Sequence, residues 1–521
     1  MQKHSTTARR FSAALVAALL LGAGCGTRGG KATDAAGPPT TAPAAAAYAP
    51  VGAASASADA TPAPSGATGT PAAGTPASPA PAAGGSSAAI ASKTVPAPRA
   101  AQGTSSGGAA SAPAASGGAS PSGTPAPGRG EVPAPGPGAA PGPGSAPAAP
   151  GACTGDLSPL VIGSVSTMSG VLGESLSGEP KTVQAWAAAT NAAGGLRCHK
   201  IKYIISDDGG DPNRHASLIQ EQVERDKVIA FVYNAAPLSG FASLNYINQH
   251  AVPVIGNEGG SPWFYESKYF FPNGASGFDG FSTWFAVPAL SPYDSAKKKY
   301  AVVSCIEAQA CAGIDSKAEE LAKRFNVNLV YKGKASLTQP DFTSHCLRAQ
   351  QAGAEIVIPV LDGNSVHRFA KSCDSVGYHP LYTGITSATR EDFAKNPLLD
   401  GYVGGYFELP WFRTDNPLIA EHLQVIKKYA PDVSPGPQSA SGWAVAKLFE
   451  IAAQNVSEPP TSASILHGLY SIRNNSVGGL LAPVTYTESV PTAPLRDCFW
   501  AALIKGGKWG GADKLICPLK Q

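Results

Sequence analysis

The stretch that most restricts the fold runs over residues 160–208. Leu160-Val161-Ile162 opens into Thr167-Met168-Ser169-Gly170-Val171-Leu172-Gly173. A helical segment follows and closes at Asn191-Ala192-Ala193-Gly194-Gly195. A second apolar run over 201–205 then ends in Ser206-Asp207-Asp208-Gly209-Gly210-Asp211-Pro212. Strand, glycine loop, helix and strand make a βαβ unit, which commits the chain to a parallel sheet flanked by helices. The first loop offers hydroxyls and glycines that can hold a small ligand, and it carries no catalytic group.

The same alternation continues. Apolar runs over 228–233, 252–255, 269–272, 300–304, 329–331, 356–361, 381–383 and 403–407 read as strands. Helical periodicity covers 238–249, 281–289, 316–325, 342–351, 365–376, 417–429, 440–454 and 463–470. The last part is expected to be β over 484–487 and 499–504, with Gly506-Gly507 turning a hairpin. The fold class is α/β, and residues from about 153 to 521 suffice for two lobes. Ligands of such sheets sit beyond the carboxyl ends of the strands.

The residues before this part belong to another regime. Lys3, Arg9 and Arg10 precede an apolar core over 11–21, as in an export signal, and that core is too short to span a bilayer. Leu21-Gly22-Ala23-Gly24-Cys25 resembles a bacterial lipobox with its leucine displaced by one place. The resemblance implies a signal peptide over 1–24, cleavage before Cys25 and a lipid anchor on that sulfur; ordinary secretion is the alternative. Residues 25–152 are almost wholly Ala, Pro, Gly, Ser and Thr, and Tyr48 is their only aromatic. Such a segment cannot bury enough apolar surface to offset its ordering entropy, and it reads as a disordered tether.

Eight cysteines lie beyond Cys25: Cys153, Cys198, Cys305, Cys311, Cys346, Cys373, Cys498 and Cys517. An even number in an exported chain favours disulfides. Connectivity stays open, but sequential pairing keeps each pair close to one local unit. Zinc is the competing use, and no two-residue cysteine spacing or Cys/His cluster supports it. A net charge of +3 without a basic, aromatic-interleaved cluster argues against a nucleic-acid partner. The chain lacks a G-x-S-x-G elbow, an H-E-x-x-H pair and a Walker loop, so nothing positive supports an enzyme. No cofactor or metal is expected.

Taken in order, several motifs resemble the type I periplasmic binding proteins of branched-chain amino-acid ABC importers. They are residues 163–173, Asn191-Ala192-Ala193-Gly194-Gly195, the Asp207–Pro212 turn, Val252-Pro253-Val254-Ile255, Gln339-Pro340-Asp341-Phe342 and Gly401-Tyr402-Val403-Gly404-Gly405-Tyr406. The resemblance covers about 157–510. It implies two Rossmann-like lobes joined by three crossovers, lobe one over about 156–275 and 406–481, lobe two over about 276–405 and 482–521. A small polar solute such as an amino acid or amide would lie between them, with an ABC permease as membrane partner. The same fold also serves as a sensor that signals to a membrane partner without transport. The tether admits a third reading, a wall-spanning structural protein.

The resemblance also implies site residues. Ser169 and Leu172 fall on the first loop, Leu238 and Ser239 on the loop after Tyr233, and Asn257, Glu258 and Gly259 on the loop after Ile255. Both serines precede helices, so capping competes with ligand binding for them. Glu258 would repel a carboxylate but could pair with an amine or accept from hydroxyls. In lobe two the expected ring is missing from Glu307-Ala308-Gln309-Ala310-Cys311, and the expected acid is missing near Ile385-Thr386. An unpartnered ammonium there would be costly. Glu258, Glu307 or Asp362 would have to substitute, or the ligand is not an α-amino acid. Asp362 also suits a turn. Trp263, Phe278 and Trp411 are aromatic candidates near the cleft, with packing the commoner role.

Overall fold

The computed structural model describes residues 157–274, 277–293, 296–493 and 498–518. The expected signal peptide, Cys25, the tether and Cys153 lie outside the described residues, as does the side chain of Phe278.

Two separate sheets form. The first contains β1 (Leu160–Ser166), β2 (Ile201–Asp207), β3 (Ala230–Val232), β4 (Val254–Ile255) and β5 (Phe270–Phe271), in the order β2-β1-β3-β4-β5 and all parallel. The second contains β6 (Lys299–Cys305), β7 (Asn328–Ala335), β8 (Ile356–Val360), β9 (Leu381–Ile385), β10 (Val403–Tyr406), β11 (Phe499–Lys505) and β12 (Lys508–Ile516). Its order is β12-β11-β10-β9-β8-β6-β7, parallel apart from the antiparallel β10-β11-β12 edge. Every residue of β3 and β8 is buried, as expected of strands covered on both faces.

The helices are α1 (Gly173–Leu176), α2 (Gly178–Ala192), α3 (Pro212–Glu224), α4 (Leu244–His250), α5 (Gly277–Leu290), α6 (Gln309–Arg324), α7 (Thr343–Gln351), α8 (Gly363–Asp374), α9 (Pro417–Tyr429), α10 (Pro437–Ala452) and α11 (Ser462–Tyr470). Pro212 at the first turn and Asp211 as cap, accepting from the Arg214 amide at 2.8 Å, start α3. Helices α2 and α10 pack face to face, with Trp186 edge-on to Phe449 at 6.0 Å and its indole N–H donating to Glu450. Helices α9–α11 thus complete the lobe built on the first sheet.

The chain crosses between the lobes three times, and the crossings are hydrogen-bonded to one another. Asn273 in the first donates to Glu408 in the second at 2.7 Å. Leu409 in the second donates to the Leu480 carbonyl at 2.8 Å, and Glu408 bridges Leu481. Tyr486 in the third donates from its hydroxyl to the Pro272 carbonyl at 2.6 Å.

Two local expectations change. The segment 484–487 forms no strand: Val484 makes an isolated bridge to Asn475, and Val484 and Tyr486 alternate inward because the third crossing is extended against the molecule. The helix expected over 238–249 splits into a 3-10 turn, Gly240–Ser243, and α4. Gly240 lies against Trp263, where a Cβ would come within 2.2 Å of the indole, and Ser243 Oγ donates to the Gly240 carbonyl at 2.9 Å.

Cys305–Cys311, Cys346–Cys373 and Cys498–Cys517 are bonded, closing respectively the β6–α6 loop, the α7–α8 pair and the terminal hairpin. Cys198 is also disulfide-bonded. Among the described residues no helix is long and apolar enough to cross a membrane, and no group of metal-ligating side chains assembles.

Candidate functional site

A cavity of about 100 Å³ lies between the strand ends of the two sheets. The first lobe contributes Leu172, Ser175, Leu176, Pro237 and the Glu258-Gly259-Gly260 loop. The second contributes Phe281 and Trp284 from α5, the Cys305–Cys311 turn, and Val360-Leu361-Asp362 and Ile385 at the ends of β8 and β9. The wall is mostly apolar.

The backbone delivers Glu258 to this wall. β4 ends at Ile255, and Gly256 follows at φ +78°, where a Cβ would also strike Val445. The Asn257 amide donates to Asn273 Oδ1 at 3.0 Å, and Asn257 Oδ1 accepts from the Gly259 amide at 3.1 Å. Gly259 turns at φ +81°. The Glu258 side chain is thereby buried: Oε1 accepts from Ser261 Oγ, and Oε2 has no hydrogen-bond partner of normal geometry. Burial pushes its carboxyl up to about 7, against the pull of Ser261 and of nearby backbone amides. Ser175 Oγ, on α1, is also buried without a partner.

Two further acids stand behind the cavity. Glu179 on α2 is buried, its carboxyl pushed up to about 8 by burial and then by the charges of Glu258 and Glu408. Burial pushes Glu408 up to about 7, although Ser441 (2.8 Å), Asn273 (2.7 Å) and Thr386 (3.4 Å) all donate to it. Glu408 therefore touches the first crossing, α10 of the first lobe and the Thr386 turn of the second.

The other expected site residues are arranged differently. Leu172, Glu258, Gly259, Asp362 and Ile385 line the cavity. Asp362 spends its carboxylate capping α8, accepting from the Asn364 and Ser365 amides and from Ser365 Oγ. Asn257 lies beneath the loop rather than on the wall. Ser239 is fully buried and donates to Asp208 at 2.7 Å, and Leu238 packs over Gly210. Ser169 is exposed, its amide donating to Asp207 at 3.2 Å. Thr386 bonds Glu408 and the Phe407 amide. Glu307 accepts from Ser336 (2.6 Å) and the Leu337 amide (2.9 Å) and does not reach the cavity. Trp263 packs on Phe264 and Phe270, and Trp411 on Tyr406 and Trp509.

The rings missing after β6 are supplied instead by Phe281 and Trp284. Sequence reasoning missed these, together with Ser175, Glu179 and Glu408. Glu179 left a signal: it shares a helical stripe with Val183 and Trp186 at i+4 and i+7, which marks it as inward-facing.

At the mouth the lobes are clasped. Glu174 of α1 accepts from Asn364 at 2.8 Å and pairs with Arg390 at 2.7 Å, both from the second lobe. These contacts hold the Glu174 carboxyl below its ordinary value, the Asn364 bond first. Gln438 of α10 donates to the Thr389 carbonyl at 2.9 Å.

Residues 159–508 match the family model described as "Periplasmic binding protein", and the chain belongs to that family. No curated protein matches the chain. Its fold is similar to that of a possible leucine/isoleucine/valine-binding protein from Rhodopirellula baltica SH 1, at 18% identity and TM-score 0.59, over 70% of this chain and 98% of that one. It is also similar to a branched chain amino acid ABC transporter protein from Thermus thermophilus with bound valine, at 15% identity and TM-score 0.61, over 70% and 97%. A third likeness is to an ABC transporter solute binding protein from R. palustris in complex with benzoate, at 16% identity and TM-score 0.55, over 69% and 97%.

Proposed function

We propose that this chain captures a small solute outside the cytoplasm by closing its two lobes over the cavity, and delivers it to an ABC importer. The observation that carries the reading is a cleft at the strand ends of two sheets that are joined through three mutually bonded crossings. Closure follows from differential affinity, because only the closed form brings both walls onto the ligand. The clasp formed by Glu174, Asn364 and Arg390 adds a polar contact at the rim. Ligands named for the similar structures include valine and benzoate, so the fold accommodates more than one chemistry. We further propose that a lipid on Cys25 and the tether over 25–152 hold the head near the outer face of the membrane, beside its permease. Bonded cysteines suit that oxidising location.

The test is a thermal-shift screen of the full chain against amino acids, amides, amines, short peptides and small organic acids. A stabiliser should also compact the protein in solution scattering. A library that leaves both melting and dimensions unchanged overturns the reading. Cys25→Ala should release the protein from the membrane fraction; retention would overturn the anchor.

A further inference from the structure

We infer that the cleft takes a small organic cation, with an aromatic or branched apolar body and a protonated amine seated on the Glu258 carboxylate beside Ser175. The inference rests on the cleft being the ligand site, as proposed above.

Shape and polarity set the apolar part. Phe281, Trp284, Ile314, Leu337, Leu361 and Ile385 present carbon to a cavity of about 100 Å³. An apolar cavity of about 150 Å³ admits benzene, so a ring or a branched butyl group is the right order of size.

The polar part follows from what is left unbonded. Two polar atoms on this wall, Glu258 Oε2 and Ser175 Oγ, are buried and lack partners. Both belong to the first lobe, so a ligand's polar end is directed there and its carbon toward the second. Asp362 also lines the cavity, but its oxygens are occupied by the start of α8. Free acceptor capacity therefore belongs to Glu258. An alcohol or neutral amide could donate to it, but only a cation also answers its charge.

Charge sets the sign. Among the described residues no lysine, arginine or histidine lines the cavity, whereas two carboxyls do. Asp208 after β2, Tyr233 after β3 and Glu179 on α2 also face Glu258, with Glu408 beyond Glu179 and Asp362 across the cavity. The N-terminus of α6 has no side-chain cap at Ala308 and contributes roughly half a positive charge, less than a single carboxylate. A ligand carboxylate would add a further negative group to a water-poor space, while an ammonium relieves the one that is unpaired.

Proton linkage gives the reaction a signature. Burial pushes the Glu258 carboxyl up to about 7. An ammonium favours its ionised form, so binding at neutral pH releases protons. Apparent affinity should then rise about tenfold from pH 6 to pH 8, as the competing proton is lost.

Calorimetry of the full chain tests this with benzylamine and isoamylamine, their carboxylate isosteres benzoate and isovalerate, and the matching alcohols. We expect an amine to bind at least tenfold more tightly than its isosteres, with proton release read from buffers of different ionisation heat. Glu258→Gln, checked for an unchanged fold by circular dichroism, should abolish both the preference and the proton release. A carboxylate or alcohol that binds more tightly overturns the inference while leaving the cleft as the ligand site. So does an amine preference that survives in Glu258→Gln. Silence from all six probes overturns the inference; silence from the wider solute library as well overturns the reading beneath it.

Discussion

Two buried acids a short distance along the same rim meet opposite fates. Asp208, at the end of β2, accepts from Thr167 Oγ1 (2.8 Å), the Gly210 amide (2.7 Å), Ser239 Oγ (2.7 Å) and His215 Nδ1 (2.8 Å). Burial alone would raise its carboxyl, yet the His215 bond and the donors around it hold it below the ordinary value. Glu258, at the end of β4, accepts from Ser261 alone among side chains, and burial wins. The difference separates scaffold from site. Where an acid's lone pairs are filled by the protein, it fixes a loop; where they are left open on a cavity wall, they remain available to a donor.

The comparison breaks first at Asp208. Asp208→Ala leaves four donors facing a void and should cost about 3–5 kcal/mol in denaturant unfolding of the empty protein. A loss below 1 kcal/mol would mean that the network carries no weight. Ser239→Ala removes one of the four donors and should cost about 2 kcal/mol while leaving solute affinity unchanged. Loss of affinity at constant stability would return Ser239 to the ligand.

Glu179 sharpens the contrast through pH. Its folded carboxyl is pushed up to about 8 from its ordinary 4.5, so the folded protein keeps a proton that the unfolded chain has lost. That contribution is full below pH 4.5 and disappears as pH rises through 8. Melting measured from pH 5 to pH 8 should fall, and Glu179→Gln should flatten the slope by about 1.4 kcal/mol per pH unit. An unchanged slope would place the proton elsewhere. The smallest effect is expected at the clasp. Glu174 is more than half exposed, and Glu174→Gln should weaken solute binding by less than about 1 kcal/mol, with a slightly more open form in scattering.

Much of the architecture was legible because buried parallel strands are short apolar runs, and those runs recur between helical stretches; 417–429 coincides with α9. The extended segment at Val484 and Tyr486 misled for a definite reason. Its period of two reports one buried side, not a ladder, and only a partner strand distinguishes these. The site was legible in part. Glu258 announced itself as an acid within a glycine turn. Glu307 held an equally promising position after β6, but the Leu337 amide and Ser336 hydroxyl draw it aside. Ser175, Phe281 and Trp284 reach the cavity only because two lobes meet there, and no local pattern encodes which residues a distant sheet will face.

The stitched crossings have a mechanical consequence. With Asn273 tied to Glu408, Leu409 to Leu480 and Tyr486 to Pro272, twisting one half against the other would strain several bonds at once. The stitching therefore limits how one half can move against the other.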